Sequence, residues 1–399
     1  AAETSETTET EGETEELAPG ETTDQTAISI TLKATEEGQE DKVRYFDTIQ
    51  HAIDAAPEYN AETNRGATVI EVSGQIELEK TVTVKANKKV CIRATNAVTI
   101  SRKAGTLTAD MFQVSGENAE LQFDVKEGTK GAALTISGAA GTVDAQVAGT
   151  IINISDGAAV GIYTGITLTG NNSSAADGGA ITNKGGSVVL YGGTITGNTG
   201  VKGGGIYSDA SINMQGTVVV KDNKKGTAVS NICLDGEATV INVTDVLTKS
   251  DISFAHLNEA NDLKVVTAGK NSAGTDLSAD NFKTAFDTSD ATKSQIKYEN
   301  TTAYTLALSA DNLSAVLQQV KTPDPDPVNP EPEAQQQLTL TYVSGSITWV
   351  DYSTITVTYT NNVAYKWDYY FVDPDTSNAQ IIAMNDGSKL SHSVETTTE

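Results

Sequence analysis

The chain has 399 residues, of which 27 are basic and 53 acidic, for a formal charge of −26. A surface so acidic repels nucleic acid and anionic membrane, which excludes both as partners. No apolar run approaches the roughly 18 residues of a transmembrane helix, and two cysteines are too few for a disulfide-stapled scaffold.

Residues 1–26 hold nine acids and no base among Thr, Ser and Glu, so they cannot bury enough surface to offset their ordering entropy, and a disordered leader is expected. The opening AAETSETTETE has the composition of a mature end left after signal-peptide removal. An extracellular or cell-surface location is the corresponding expectation. AISITLKA (27–34) alternates as a strand does. YFDTIQHAIDAAPEY then places Phe46, Ile49, Ile53 and Ala56 on one face at helical spacing, with Asp47 as N-cap, His51 on the polar side and Pro57 as the stop. GATVIEVSG, IELEKTVTVK, KKVCIRAT and AVTISRK follow as strands. A helix ahead of such strands predicts a cap, because an uncovered first coil would expose sheet edges. MFQVSG, LQFDVK, ALTISG and TIINISDG, over 100–160, read as degenerate coils.

Residues 161–223 carry the clear repeat. ITLTGN, TITGN and VVVKDN end in Asn171, Asn198 and Asn223, 27 and 25 residues apart; Ile181 of GGAI and Ile206 of GGGI are also 25 apart. Each unit holds short Val/Ile/Thr runs punctuated by Gly and Asn, the pattern of one coil of a parallel β-helix. Leu168, Ile195 and Val220 are expected to stack inward, about 4.8 Å from coil to coil. Asn171, Asn198 and Asn223 are expected to form a turn ladder in the left-handed conformation, where glycine would be the mildest replacement. Gly178–Gly179 and Gly203–Gly205 are expected to supply positive φ at the opposite corner.

These phrases carry a resemblance. GGAITN, GGTITGN and GGGIYS resemble the repeats of bacterial right-handed β-helix surface proteins, among them the polymorphic outer-membrane proteins and surface proteins of gut anaerobes. The resemblance covers about residues 160–250, where SNICLDGEATVINV is similar to a closing coil, and it implies a pectin-lyase-like fold. The F-x-x-N half of the outer-membrane motif is absent, and TGN or KDN stands in its place.

From 246 to 320, KSDISFAHL, DLKVVTAG, NFKTAF, AYTLAL and AVLQQV predict the last coils and a C-terminal cap. KTPDPDPVNPEPEAQQQ (321–337) has five prolines in ten residues and predicts a stiff linker. Residues 338–399 hold nine of the 22 aromatic residues, and LTLTYV, SITWV, TITVTYT and AYKWDYYFV predict strands with a hairpin turn at Thr360–Asn362. The expected architecture is therefore all-β: a leader (1–26), a right-handed single-stranded parallel β-helix with a cap helix (27–320), a linker (321–337) and a small, immunoglobulin-like β-sandwich (338–399).

The resemblance implies enzymes, so the chemistry of that fold must be sought. Its lyases use Ca²⁺-binding carboxylates and an Arg or Lys base, but Arg44, Arg65, Arg93 and Arg102 all lie in the first quarter of the chain. Lys184, Lys202, Lys221, Lys224 and Lys225 sit in turns, where solvation is the default role. Asp156, Asp177, Asp209, Asp222 and Asp235 are scattered turn residues, although two meeting across coils would suit glycoside chemistry. His51, His256 and His392 share no ligand spacing, which leaves no zinc site and no other metal site. DPDTSN (373–378) has part of a Ca²⁺-loop pattern, so no cofactor is expected beyond a Ca²⁺ there. Cys91 and Cys233, five to six coils apart, are expected to be buried and unpaired. The pairs Thr81/Thr83, Thr167/Thr169 and Thr194/Thr196 have the pattern of an ice-binding hydroxyl ladder, but in the sequence they share no single register, so strand propensity is their expected reason.

No catalytic residue emerges. The leading expectation is a monomeric, non-catalytic bacterial surface protein acting in adhesion, with polysaccharide or a host surface glycoprotein as partner. The alternatives are a polysaccharide lyase or hydrolase with a divergent site, and a structural stalk that binds nothing.

Overall fold

The computed structural model describes residues 17–25, 28–32, 42–62, 66–139, 145–287 and 293–320, together with the strands Ile355–Val357, Asp368–Val372, Ala379–Ala383 and Leu390–His392. The chain divides into two compact units, Ala1–Asp324 and Pro325–Glu399. The first is a parallel β-helix in which each coil gives one strand to each of three stacks. Its first coil runs Thr68–Val72, Gln75–Leu78, Val82–Val84, and its clearest repeats run Ala159–Ile162, Ile166–Thr169, Ile181–Lys184 and Ser187–Leu190, Gly193–Thr196, Ile206–Ser208. The first stack is a 13-stranded sheet; the second and third form one 14-stranded sheet, because Asp251–His256 pairs with Val218–Lys221 and with Ile232–Leu234.

The core follows from strand alternation. In the second stack Ile100, Ile136, Leu168, Ile195 and Val220 are mutually in register, and all are buried. Ile181, Ile206 and Ile232 do the same in the third. Phe112 and Phe123 meet edge-on across the interior, with centroids 5.1 Å apart.

Both ends are closed by antiparallel elements. Ile28–Leu32 pairs antiparallel with Thr68–Val72 and with Lys42–Phe46. The cap helix, Ile49–Ala55, buries Ile49, Ala52 and Ile53. Thr48, not Asp47, is its N-cap: the Thr48 hydroxyl accepts the His51 N–H, while the Asp47 carboxylate turns to the His51 ring. Gln50 imitates a neighbouring strand, accepting the Thr83 N–H at 2.7 Å and donating to the Thr83 carbonyl at 3.2 Å, so the open edge of the first coil is satisfied. Glu21–Thr22, placed by composition in a disordered leader, pairs antiparallel with Tyr45–Phe46. A two-point ion pair between Glu21 and Arg44, 2.8 Å at each contact, offsets the ordering cost and holds the Glu21 carboxyl down at about 2. At the far end, Tyr304–Leu308 and Ser314–Gln319 form a hairpin laid antiparallel on Lys264–Ala268. NFKTAF forms no coil strand; Ala279–Lys283 is a short helix that buries Phe282, capped by Ser278.

A polar ladder runs through the corner after the second stack. Asn171, Asn198 and Asn223 are buried there. The Asn171 N–H donates to Asn198 Oδ1 at 3.1 Å, and the Asn198 N–H and Nδ2 both donate to Asn223 Oδ1 at 3.0 Å. Asn223 N–H and Nδ2 donate to Asn231 Oδ1, and the Asn231 N–H donates to Glu299 Oε1 at 2.8 Å. At the opposite end Arg102 Nη2 donates to Asn171 Oδ1 at 3.1 Å. Donors thus point one way from the buried Arg102 cation to the half-buried Glu299 carboxylate.

Two expectations about this corner are corrected. The left-handed residues are Gly170, Gly197 and Asp222, each immediately before a ladder asparagine; the asparagines themselves are not left-handed. The doubled and tripled glycines are likewise absent from the positive-φ positions. They are required by close approach instead: a Cβ on Gly178 would lie 1.8 Å from the Ile181 carbonyl oxygen, and one on Gly204 would lie 2.1 Å from the Lys224 nitrogen.

The three threonine pairs divide: the expected lack of one common register holds for Thr81/Thr83 and fails for the other two. Thr167 pairs with Thr194 and Thr169 with Thr196, and the register continues through Thr135/Ser137 to Thr99/Ser101. Thr81 and Thr83 lie apart, at the third stack.

In the second unit, Ile355–Val357 pairs antiparallel with Leu390–His392, and Asp368–Val372 with Ala379–Ala383. The 1–16 part of the leader, the linker, the turn at 360–362 and the DPDTSN segment lie outside the described residues. Among the described residues no helix is long and apolar enough to cross a membrane.

Candidate functional site

The ladder asparagines are buried and consumed by one another, so a ligand must be sought on the outer faces. On the first stack two outward columns run along the axis. One reads Val69, Cys91, Gln122, Gly161, Val189, Asn213, Asn242, Thr267. The other begins Glu71, Arg93, Asp124 and continues with Tyr163 and Tyr191, whose N–H groups bond the Phe123 and Ile162 carbonyls of the preceding coils.

Tyr163 and Tyr191 are the centre of this face. Their rings stack with centroids 4.4 Å apart and planes 19° apart. Both lean over Gly161, where a Cβ would sit 3.4 Å from one ring and 3.6 Å from the other. Glycine therefore leaves a notch that the two rings cover. The phenol of Tyr163 is pushed up to about 12, by burial first and then by Tyr191, Cys91, Asp124 and Glu120. Neither hydroxyl has a hydrogen-bond partner among the described residues. Toward the N-terminal end the face is ionic: Arg93 meets Glu71 at 2.8 Å, and Lys126 meets Glu71 at 3.2 Å. Toward the other end it is amide-lined: Asn242 Nδ2 donates to Asn213 Oδ1 at 3.0 Å, and the Thr267 hydroxyl donates to Asn242 Oδ1 at 2.6 Å.

A second cluster lies on the third stack. Lys202 Nζ stands 3.6 Å from Asp177 and 3.7 Å from Asp235, and 4.4 Å above the Tyr207 ring. The Tyr207 hydroxyl donates to Asp235 at 2.8 Å, and Lys184 meets Asp177 at 3.0 Å. Two of the turn aspartates are therefore brought together around one lysine. Asp209 accepts the Gly185 N–H, while Asp156 and Asp222 occupy left-handed turns, so these three stay turn formers. Burial and then Asp235 push the Tyr207 phenol upward, which makes it a poor base near neutrality.

The remaining singled-out residues are structural. His256 is buried, with Nδ1 accepting the Asn258 N–H and Nε2 facing the Thr239 carbonyl, an arrangement for a neutral ring whose pKa burial lowers. Among the described residues no three His, Cys, Asp or Glu side chains gather as a metal would require. Cys91 and Cys233 are free and buried, four coils apart and on different stacks. Burial pushes their thiols up to about 12 and about 11. Since only the thiolate attacks, a disulfide reagent at about pH 8 should label neither thiol promptly until denaturant is added. Prompt reaction of either one in the native chain would contradict this.

Sequence periodicity gave no signal for the tyrosine pair, because Tyr163 and Tyr191 follow different phrases, GIYTG and VVLYGG. Aligning the strands Ala159–Ile162 and Ser187–Leu190 would have found it.

No family model, curated protein or solved structure matches the chain.

Proposed function

We propose that this chain is a secreted or cell-surface bacterial β-helix that binds carbohydrate without catalysis, as an adhesive module, through the outer face of its first stack. The observation that carries the reading is the stacked Tyr163–Tyr191 pair, with two phenol hydroxyls unused by the protein, between carboxylates on one side and amides on the other. Aromatic carbon for the faces and edges of sugar rings, beside acceptors and amides for their hydroxyls, is the chemistry of glycan recognition. The charged side chains that act on the Tyr163 phenol, Asp124 and Glu120, are negative, as is the whole chain, which favours a neutral glycan over a uronate. The resemblance of the GGAI, GGGIY and TITGN phrases to repeats of bacterial surface proteins supports the location.

The Asp177–Lys202–Asp235 cluster favours a second reading, a polysaccharide lyase or hydrolase. Each carboxylate is within 4 Å of one ammonium, so the pair is no more than about 7 Å apart, which overlaps the separations used in glycoside chemistry. Against it, the Lys202 ammonium is already engaged by two carboxylates and the face of an aromatic ring, so it is not free to meet a substrate.

One experiment separates the two. Neutral and acidic oligosaccharides are titrated against the full chain, and the same mixtures are scored for new reducing ends and unsaturated products. Binding of neutral glycans without turnover is expected, weakened about tenfold or more in Tyr163→Ala and Tyr191→Ala. Turnover abolished by Lys202→Met would establish the enzyme instead. Retention in the cytoplasm, seen by cell-surface labelling, would remove the adhesive role.

A further inference from the structure

The outer face of the second stack carries a lattice that neither reading uses. Across four consecutive coils its outward positions are Thr99 and Ser101, Thr135 and Ser137, Thr167 and Thr169, Thr194 and Thr196, all in register. No bulge interrupts these pairings, in contrast to the first stack, where the register slips between Met214 and Gly216. Outward residues two apart on a parallel strand are separated by about 6.6 Å, and coils by about 4.8 Å. The result is a rectangular array of hydroxyls on a regular sheet.

Its chemistry is selective. In a chain with 20% charged residues, none of these eight positions is charged and none is aromatic. All eight side chains are partly exposed. Of their hydroxyls, only Ser137 is engaged among the described residues, accepting the Ala139 N–H at 3.4 Å. Charge returns at both ends: Glu77 precedes Ser101 in its column and Lys221 follows Thr196. A sugar would have no ring to stack on here, and an ion would have no countercharge. A ligand that repeats in two dimensions, presents water-like donors and acceptors, and tolerates the threonine methyls is needed. The array's two repeats are close to those of the oxygen lattice on the prism faces of hexagonal ice.

We propose that this face of the second stack binds ice. The hydroxyls take positions of lattice water, and the methyls between them hold intervening water in order. This site is independent of the tyrosine face, and its failure would leave the glycan reading untouched.

The test uses the full chain and growing ice. A fluorescently labelled protein is offered to a slowly growing ice hemisphere, and ice recrystallisation is followed in parallel. The wild-type chain should be incorporated and should arrest recrystallisation. Thr169→Lys and Thr196→Lys should lose both effects, while Asn213→Lys, on the first stack, should keep them. Lysine is compatible with the fold in this column because Lys221 already stands there; unchanged circular dichroism melts confirm that each variant is folded. Exclusion of the wild-type chain from ice would overturn the proposal. So would incorporation that the two threonine variants retain, or that Asn213→Lys loses equally.

Discussion

Replacing Arg102 with methionine should cost this β-helix about 3–5 kcal/mol. Arg102 is buried, 2% exposed, and its fork is fully used. Nε donates to the Gly138 carbonyl at 3.2 Å, Nη1 to the carbonyls of Leu107 at 3.2 Å and of Ala109, and Nη2 to the Thr150 carbonyl at 3.3 Å and to Asn171 Oδ1. Five donors thus meet five acceptors, the full capacity of a guanidinium. Two effects oppose each other on substitution. Burial holds the Arg102 pKa down to about 10, so removing the charge recovers on the order of 3 kcal/mol. Each carbonyl stranded without a donor costs about 1–3 kcal/mol, and there are several, so the loss wins. Lysine keeps the charge but offers three donors without a planar fork, and Arg102→Lys should therefore also destabilise. Denaturant titration of the two variants checks this. A methionine variant as stable as the parent would mean that water replaces the guanidinium, and the ladder would then begin at Asn171.

The position of this arginine explains why it escaped the sequence. Arg102 ends the strand Ala97–Arg102, and Gly138 of the next coil leaves room for the Asn171 side chain that the guanidinium reaches: a Cβ on Gly138 would sit 2.4 Å from that side chain. Nothing in AVTISRK distinguishes such a residue from a solvated strand end. The stacking of Leu168, Ile195 and Val220 was legible because strand alternation and a fixed period together assign every side chain to a face. The backbone of the corner was not. A period locates a turn but not the residue within it that is left-handed, and TGN and KDN offer two candidates each. The glycine runs were misassigned for a related reason: conformational freedom and absence of a Cβ have the same sequence signature, and only the 1.8 and 2.1 Å approaches at Gly178 and Gly204 separate them. The hydroxyl lattice was hidden because coils two and three depart from the repeat length, so Thr99/Ser101 and Thr135/Ser137 fall out of phase in sequence while remaining in register in space.

The same distinction governs Asn198. Were it left-handed, glycine would be a mild substitution. It is not left-handed, Gly197 before it is, and the Asn198 side chain is what the corner needs. Its Oδ1 accepts the Asn171 N–H at 3.1 Å, and its Nδ2 donates to Asn223 Oδ1, the Leu168 carbonyl and the Thr196 carbonyl at 3.0 Å each. Asn198→Leu removes all four contacts and places a branched side chain in a dry corner, for an expected loss of roughly 3–6 kcal/mol. Asn198→Gly removes the same contacts and adds backbone freedom in the unfolded chain, so it should be destabilised by a comparable amount, not spared. The two substitutions also interrupt a polarised chain between Arg102 and Glu299, so their effects should not add to that of Arg102→Met. Once the ladder is broken at Asn198, loss of the Arg102 contact to Asn171 removes an interaction already weakened. Thermal and denaturant melts of Asn198→Leu, Asn198→Gly and the double variant with Arg102→Met decide the matter. A near-wild-type melt for the glycine variant would return Asn198 to the role of a turn former, and full additivity in the double variant would show that the ladder is a row of separate contacts and not one coupled element.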